Sequence, residues 1–161
     1  MFAKRLSFKG GGQKSTMNTI NIYTDGGSRN NPGNAAAGAV INDHKFKKYL
    51  GIKTNNEAEY EGVILGLQEL VKIYSKEELK NSEINFYLDS ELVCKQINKK
   101  YKVKDEKLAP LFLQVHNLKA NLPQIKFIHI RRELNKEADA LVNQALDEAE
   151  QNPNICIPKD E

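Results

Sequence analysis

The 161-residue chain is 40% hydrophobic and 28% charged with a net charge of +3, the make-up of one globular domain and not of a disordered or fibrous chain. It has no apolar run long enough to cross a bilayer as a helix. Its two cysteines, Cys94 and Cys156, are too few for a disulfide framework and lack zinc-ligand spacing, so a reducing, cytoplasmic compartment is expected.

Residues 1–18 contain Lys4, Arg5, Lys9 and Lys14 and no acid, a charge of +4 that leaves −1 for the rest of the chain. With Gly10-Gly11-Gly12, Ser7, Ser15 and Thr16 they read as a basic flexible leader. A transit peptide, or a start at Met17, is an alternative reading. A first strand is expected over Thr19 to Asp25, then a loop from Gly26 to Gly33 rich in turn residues. Small residues from Ala35 to Ile41 predict a second strand, Asn42-Asp43 a turn, and Lys45 to Ile52 a third strand, together an antiparallel meander. After the polar stretch Lys53 to Asn56, the spacing of Tyr60, Val63, Ile64, Leu67, Leu70, Val71 and Tyr74 predicts a long helix. A fourth strand ends on Asp89, and Ser90 suits the cap of a short helix reaching Asn98. Lys99 to Lys104 is a basic loop. A helix from Glu106 to Ala120, a fifth strand from Ile125 to Arg131 and a helix from Lys136 to Glu148 follow. The last helix places Ala138, Leu141, Val142, Ala145 and Leu146 on one stripe. Residues 150–161 read as a flexible tail. This order predicts an α/β fold: a five-stranded mixed sheet flanked by helices.

The first and fourth strands echo each other, Ile20-Asn21-Ile22-Tyr23-Thr24-Asp25 against Ile84-Asn85-Phe86-Tyr87-Leu88-Asp89. A long helical connection lets them run parallel. Side by side, at roughly 4.8 Å, they bring both aspartates to one sheet edge, where two carboxylates repel unless a cation lies between them. Turn-forming aspartates are the plainer alternative. Glu59 falls on the inward stripe of the long helix, while Glu57 and Glu61 face outward. Alternatively, Glu59 closes a capping box with Asn56. Asp139, in the first turn of the last helix, either serves the helix dipole or points inward. Taken together, the four acids offer hard oxygen ligands suited to Mg²⁺ or Mn²⁺, two of which could drive phosphodiester cleavage.

The runs YTDGGSRNNPGNAAAGAV, TNNEAEYEGVILGLQEL, YLDSELV and HIRRELNKEADALVNQAL, in that order, resemble the type 1 ribonucleases H. The stretch KKYKVKDEKLAPLFLQV looks like their shorter prokaryotic forms. The resemblance covers residues 19–149. It implies a ribonuclease H-like fold and an endonuclease that hydrolyses the RNA strand of RNA–DNA hybrids with two metal ions, leaving 5′-phosphate and 3′-hydroxyl ends. Carried over motif by motif, the catalytic, metal-binding acids are Asp25 in TDGG, Glu59 in NNEAE, Asp89 in LDSE and Asp139 in EADAL. Gly26, Gly27, Ser28, Asn31, Thr54, Asn55 and Asn56 are then expected to touch the hybrid. The implied partner is the hybrid alone, with no membrane and no obligate protein partner, and the chain is expected to be a monomer.

Two departures stand out. Longer members insert a basic, tryptophan-bearing protrusion after the fourth strand. This chain has no Trp and only KKYKVK there. Many members also carry a histidine just before the last catalytic Asp. Here that loop is Arg131-Arg132-Glu133-Leu134-Asn135, so Arg131 and Arg132 are candidates for substrate contact, while His129 is expected to be structural. Competing readings are a catalytically silent nucleic-acid-binding module on the same fold, a related metal nuclease, and a structural domain whose acids are caps.

Overall fold

The computed structural model describes residues 18–152. Apart from Asn18 and residues 150–152, the expected leader and tail, with Cys156, lie outside the described residues. The elements are β1 (Asn18–Arg29), β2 (Gly33–Ile41), β3 (His44–Lys53), α1 (Asn55–Ile73), α2 (Lys76–Lys80), β4 (Ser82–Leu88), α3 (Glu91–Ile97), α4 (Ala109–Ala120), β5 (Ile125–His129), a 3-10 turn (Arg132–Leu134) and α5 (Lys136–Gln151). One sheet has the order β3-β2-β1-β4-β5. The first two pairings are antiparallel, and β1 pairs β4 and β4 pairs β5 in parallel. The five-stranded mixed sheet is as expected.

The echoed strands lie side by side in matching register: Ile20 faces Ile84, Ile22 faces Phe86 and Tyr23 faces Tyr87. The two tyrosines stack with ring centroids 4.7 Å apart, and the Asn85 amide donates to Asn21 Oδ1 at 3.2 Å. Like residues thus form cross-strand ladders that pin the register carrying Asp25 and Asp89 to the same edge.

The sheet is buried on two faces of unequal chemistry. On one, Ile20, Ile22, Ile84, Phe86 and Leu88 pack with Tyr60, Val63, Leu67 and Leu70 of α1 and with Val93, Ile97 and Val115. On the other, α5 lays Val142, Ala145 and Leu146 over Ala36, with Tyr49 alongside. Side chains on a strand alternate between faces. A Cβ on Gly26 would meet the Ala58 carbonyl oxygen of α1 at 1.9 Å, whereas one on Gly27 would point to Val142 of α5. Gly26 therefore sets how closely α1 can approach the sheet.

Several boundaries differ from expectation. The expected loop from Gly26 to Gly33 is largely strand: β1 continues to Arg29, pairing Gly26 with Ala37 and Ser28 with Ala35. Turn-prone residues are tolerated because the small alanines opposite leave room for helices on both faces. The remaining turn has Asn30 at φ 76°, a left-handed conformation that Asn tolerates. The capping box of α1 is Thr54 with Glu57, not Asn56 with Glu59: Thr54 Oγ1 accepts from the Glu57 N–H and Glu57 Oε1 from the Thr54 N–H. Glu57 is thus a cap, not merely an outward acid, and Glu59 is left for other work. Val71 is 50% exposed and leaves the predicted stripe. α2, with its own Ser75/Glu78 capping box, lies where no helix is expected. α4 begins at Ala109, where Pro110 suits a first turn and not a helix interior. β5 stops at His129, before Arg131, and α5 runs on to Gln151.

Candidate active site

Three carboxylates meet above the junction of β1 and β4. Asp25, Glu59 and Asp89 each bring an oxygen to within 4.8 Å of the others. Asp25 lies within β1, and Asp89 directly follows β4. Glu59 comes from the second turn of α1, brought down by two glycines. Gly26 leaves room for the helix backbone, and a Cβ on Gly62 would meet the Asp25 carbonyl oxygen at 2.7 Å. Asp139, in the first turn of α5, lines the same cleft but stands outside the tight trio.

The cleft, about 450 Å³, is bounded by Asp25, Gly26, Gly27, Ser28, Arg29, Asn55, Asn56, Glu59, Asp89, Ser90, Arg132, Asp139, Val142, Asn143 and Leu146. Of the expected contact residues, Gly26, Gly27, Ser28, Asn55, Asn56 and Arg132 line it. Thr54, Asn31 and Arg131 do not. Thr54 is occupied as the cap of α1. Asn31 Oδ1 accepts from the Asn55 backbone N–H at 2.9 Å, fastening the β1–β2 turn to the helix start. The Ser28 N–H and hydroxyl both donate to Asn55 Oδ1, at 2.9 and 3.0 Å, so the Asn55 amide keeps its two N–H donors for the cleft. Arg132 sits in the 3-10 turn after β5, so strand alternation does not govern the two arginines. His129 ends β5 and is exposed, and it does not line the cleft.

Asp25 and Glu59 are 7% and 8% exposed. Burial, then the charges of Asp89 and Asp139, raises the Asp25 carboxyl from 3.8 to about 7, against the opposing pull of the Gly26 N–H. Burial, then Asp25 and Asp89, holds Glu59 well above the ordinary carboxyl range. Glu59 Oε1 is buried with no hydrogen-bond partner. Buried acceptors are normally satisfied, so an orphaned carboxylate oxygen amid two other acids fits a cation-binding site. An all-oxygen donor set fits a hard divalent ion such as Mg²⁺ or Mn²⁺ and not zinc.

Three residues that the motifs did not single out support the acids. Asn135 is 1% exposed. Its amide donates to the Thr24 carbonyl at 2.8 Å and to Asp89 Oδ2 at 3.0 Å. It occupies the N-cap position of α5 without making a capping bond. Arg29 and Asn143 line the cleft and bond to each other. Their signals were present: Arg29 lies four residues beyond Asp25, on the same face of an extended β1, and Asn143 lies one helical turn beyond Asp139.

Fold and site together define an α/β protein with a carboxylate centre built for hard divalent cations. The family profile described as Reverse transcriptase-like matches residues 23–145. Bifunctional protein Rv2228c of Mycobacterium tuberculosis is 39% identical over 137 residues, 81% of this chain and 36% of that protein. The chain thus spans about a third of the length of the mycobacterial relatives it matches. Ribonuclease HI of Halobacterium salinarum is 32% identical over 136 residues, 81% of this chain and 65% of that protein. Among solved structures, LC11-RNase H1, isolated from compost by a metagenomic approach, matches with a TM-score of 0.77 at 44% identity, covering 83% of this chain and 99% of that one. LC11-RNase H1 has also been solved in complex with an RNA/DNA hybrid. The chain belongs to the type 1 ribonuclease H family.

Proposed function

We propose that this chain is an endonuclease that hydrolyses the RNA strand of RNA–DNA hybrids, using two divalent cations, Mg²⁺ or Mn²⁺, and leaving 5′-phosphate and 3′-hydroxyl ends. The observation that carries the reading is the close trio of buried Asp25, buried Glu59 and half-buried Asp89, with Glu59 Oε1 unpartnered, at the floor of an open cleft. Asp25, Glu59, Asp89 and Asp139 would hold the ions, which supply positive charge to activate a water and to stabilise the leaving oxygen.

The remaining residues serve binding and orientation. Gly27 keeps the cleft wall free of a side chain, so backbone can approach a sugar, while Gly26 makes room for α1. Asn55 and Asn56, at the start of α1, present amides of the kind that read 2′-hydroxyls and base edges. Arg132 supplies a fixed positive charge and a fork of donors for a phosphate. It cannot replace a histidine in moving protons, because a guanidinium does not titrate near neutrality. In this reading the protein acts as a cytoplasmic monomer, with the hybrid as partner and no obligate protein partner.

The experiment is cleavage of end-labelled RNA–DNA hybrid, duplex RNA, duplex DNA and single strands in Mg²⁺, Mn²⁺ or EDTA, with the product ends identified. Metal-dependent cutting of the hybrid's RNA strand alone is expected. Binding of hybrid without cutting in either metal would instead identify a silent binding module.

A further inference from the structure

Asp139 is the one acid of the four that is not drawn into the tight trio, and it is half-buried on the first turn of a helix. Something must aim its carboxylate into the cleft. One turn along α5, the Asn143 amide donates to the Asp139 carbonyl at 3.1 Å and to Asp139 Oδ2 at 3.4 Å. No other side chain donates to this carboxylate among the described residues.

An asparagine amide can present either end, but here the neighbours settle which. Arg29 Nη2 donates to Asn143 Oδ1 at 3.2 Å. A guanidinium only donates and an ionised carboxylate only accepts, so oxygen must face Arg29 and nitrogen must face Asp139. Arg29 is itself held by Asp147 at 2.8 Å and Glu150 at 2.9 Å, both on α5. The chain from Glu150 and Asp147 through Arg29 and Asn143 to Asp139 therefore has a single hydrogen-bonding polarity. It also ties the end of β1 to the helix that carries the acid.

We propose that Asn143 is a positioning residue for the hydrolytic site: it orients the Asp139 carboxylate, and Arg29 locks the amide in the donating sense. The inference rests on the reading of Asp139 as a metal-binding acid. Groups that orient a metal ligand typically change metal affinity or activity by roughly ten- to a hundredfold when removed. Alanine is the better helix former, so losing Asn143 should not cost stability.

The test compares wild type, Asn143→Ala, Asp139→Asn and the double variant, with exposed Gln144→Ala as a control. Mn²⁺ affinity is measured by calorimetry on the free protein. Hybrid affinity is measured by anisotropy in EDTA, and kcat and KM on hybrid in Mg²⁺. For Asn143→Ala the expected result is Mn²⁺ affinity and kcat lowered about tenfold or more, KM and hybrid affinity within about twofold of wild type, and a melting temperature that is level or higher. In the Asp139→Asn background the same change should alter Mn²⁺ affinity by less than about twofold, since coupled residues do not add. An undiminished effect in that background, or a loss of hybrid affinity in EDTA, overturns the proposal by showing that Asn143 acts on the hybrid directly. Unchanged Mn²⁺ affinity and kcat in the single variant also overturn it. If wild type binds Mn²⁺ but cuts no hybrid, the nuclease reading fails while the Mn²⁺ comparison still decides the role of Asn143. If wild type binds no Mn²⁺, both fail.

Discussion

Raising the pH of the metal-free protein from 5 to 8 should destabilise it, and Asp25 should carry much of the effect. Its carboxyl is lifted from 3.8 to about 7 by burial and by Asp89 and Asp139. Between those values the native state holds a proton that the unfolded chain has released. Stability from this group is therefore fully present below 3.8, and it is lost as pH rises through about 7. The full displacement corresponds to about 4 kcal/mol, of which about 2–3 kcal/mol falls between pH 5 and 8. Glu59, raised in the same direction, adds to the trend. The assay is urea unfolding in EDTA across this range for wild type and Asp25→Asn. The asparagine keeps an acceptor for the Gly26 N–H but carries no charge. It should be more stable than wild type at pH 8, and its stability should fall less steeply with pH. Mg²⁺ should restore wild type at pH 8, by about 2.7 kcal/mol at a hundred times the dissociation constant, and should restore Asp25→Asn less. Equal pH slopes for the two proteins would refute the argument that the trio is a charge-strained site relieved by a cation.

Asp89→Asn should lower hybrid cleavage by orders of magnitude while leaving metal-free stability level or higher, read by initial rates and thermal melts at pH 8. Arg132→Ala should weaken hybrid cleavage through KM or kcat and Arg131→Ala should do little, because only Arg132 lines the cleft; steady-state kinetics on a labelled hybrid separates them. Gly26→Ala should force α1 off the sheet, since the added carbon would lie 1.9 Å from the Ala58 carbonyl oxygen. A loss of more than about 3 kcal/mol, or failure to fold, is expected from a backbone clash in a close-packed interior, and chemical denaturation measures it. Glu57→Ala should cost about 1 kcal/mol as a lost cap and leave cleavage within about twofold, because Glu57 serves Thr54 and not the cleft.

Much of this protein could be read along the chain, because the deciding interactions repeat with local periods. Alternation placed Tyr23 with Asp25 and Tyr87 with Asp89, and the echo of the two strands carried their parallel register. The helical period separated Glu59 from Glu57 and Glu61. The limits of β1 could not be read, because Gly26 to Arg29 have turn-forming identities and are held extended only by the alanines of β2 and the helices on either face. The cap of α1 is hidden for a related reason: Thr54, Asn55 and Asn56 are all competent caps, and only backbone geometry selects Thr54. Thr54 and Asn31 hold the framework of the cleft without lining it, a distinction that motif position does not carry.

The amino-acid sequence by itself determined the sheet, the order of its elements and which four acids line one cleft, since periodicity and motif chemistry are local properties. The tertiary structure alone decided that three of those acids converge on one point, that Asn135 and Asn143 hold the other ends of the acids' hydrogen bonds, and that Arg132 rather than Arg131 faces the cleft. Those outcomes depend on how closely α1 and α5 can approach the sheet. That distance is set by the absence of a Cβ at Gly26, Gly38 and Gly62, where one would lie 1.9, 2.7 and 2.7 Å from a helix or strand carbonyl oxygen. Such packing is a property of surfaces brought together by the fold, and no local pattern encodes it.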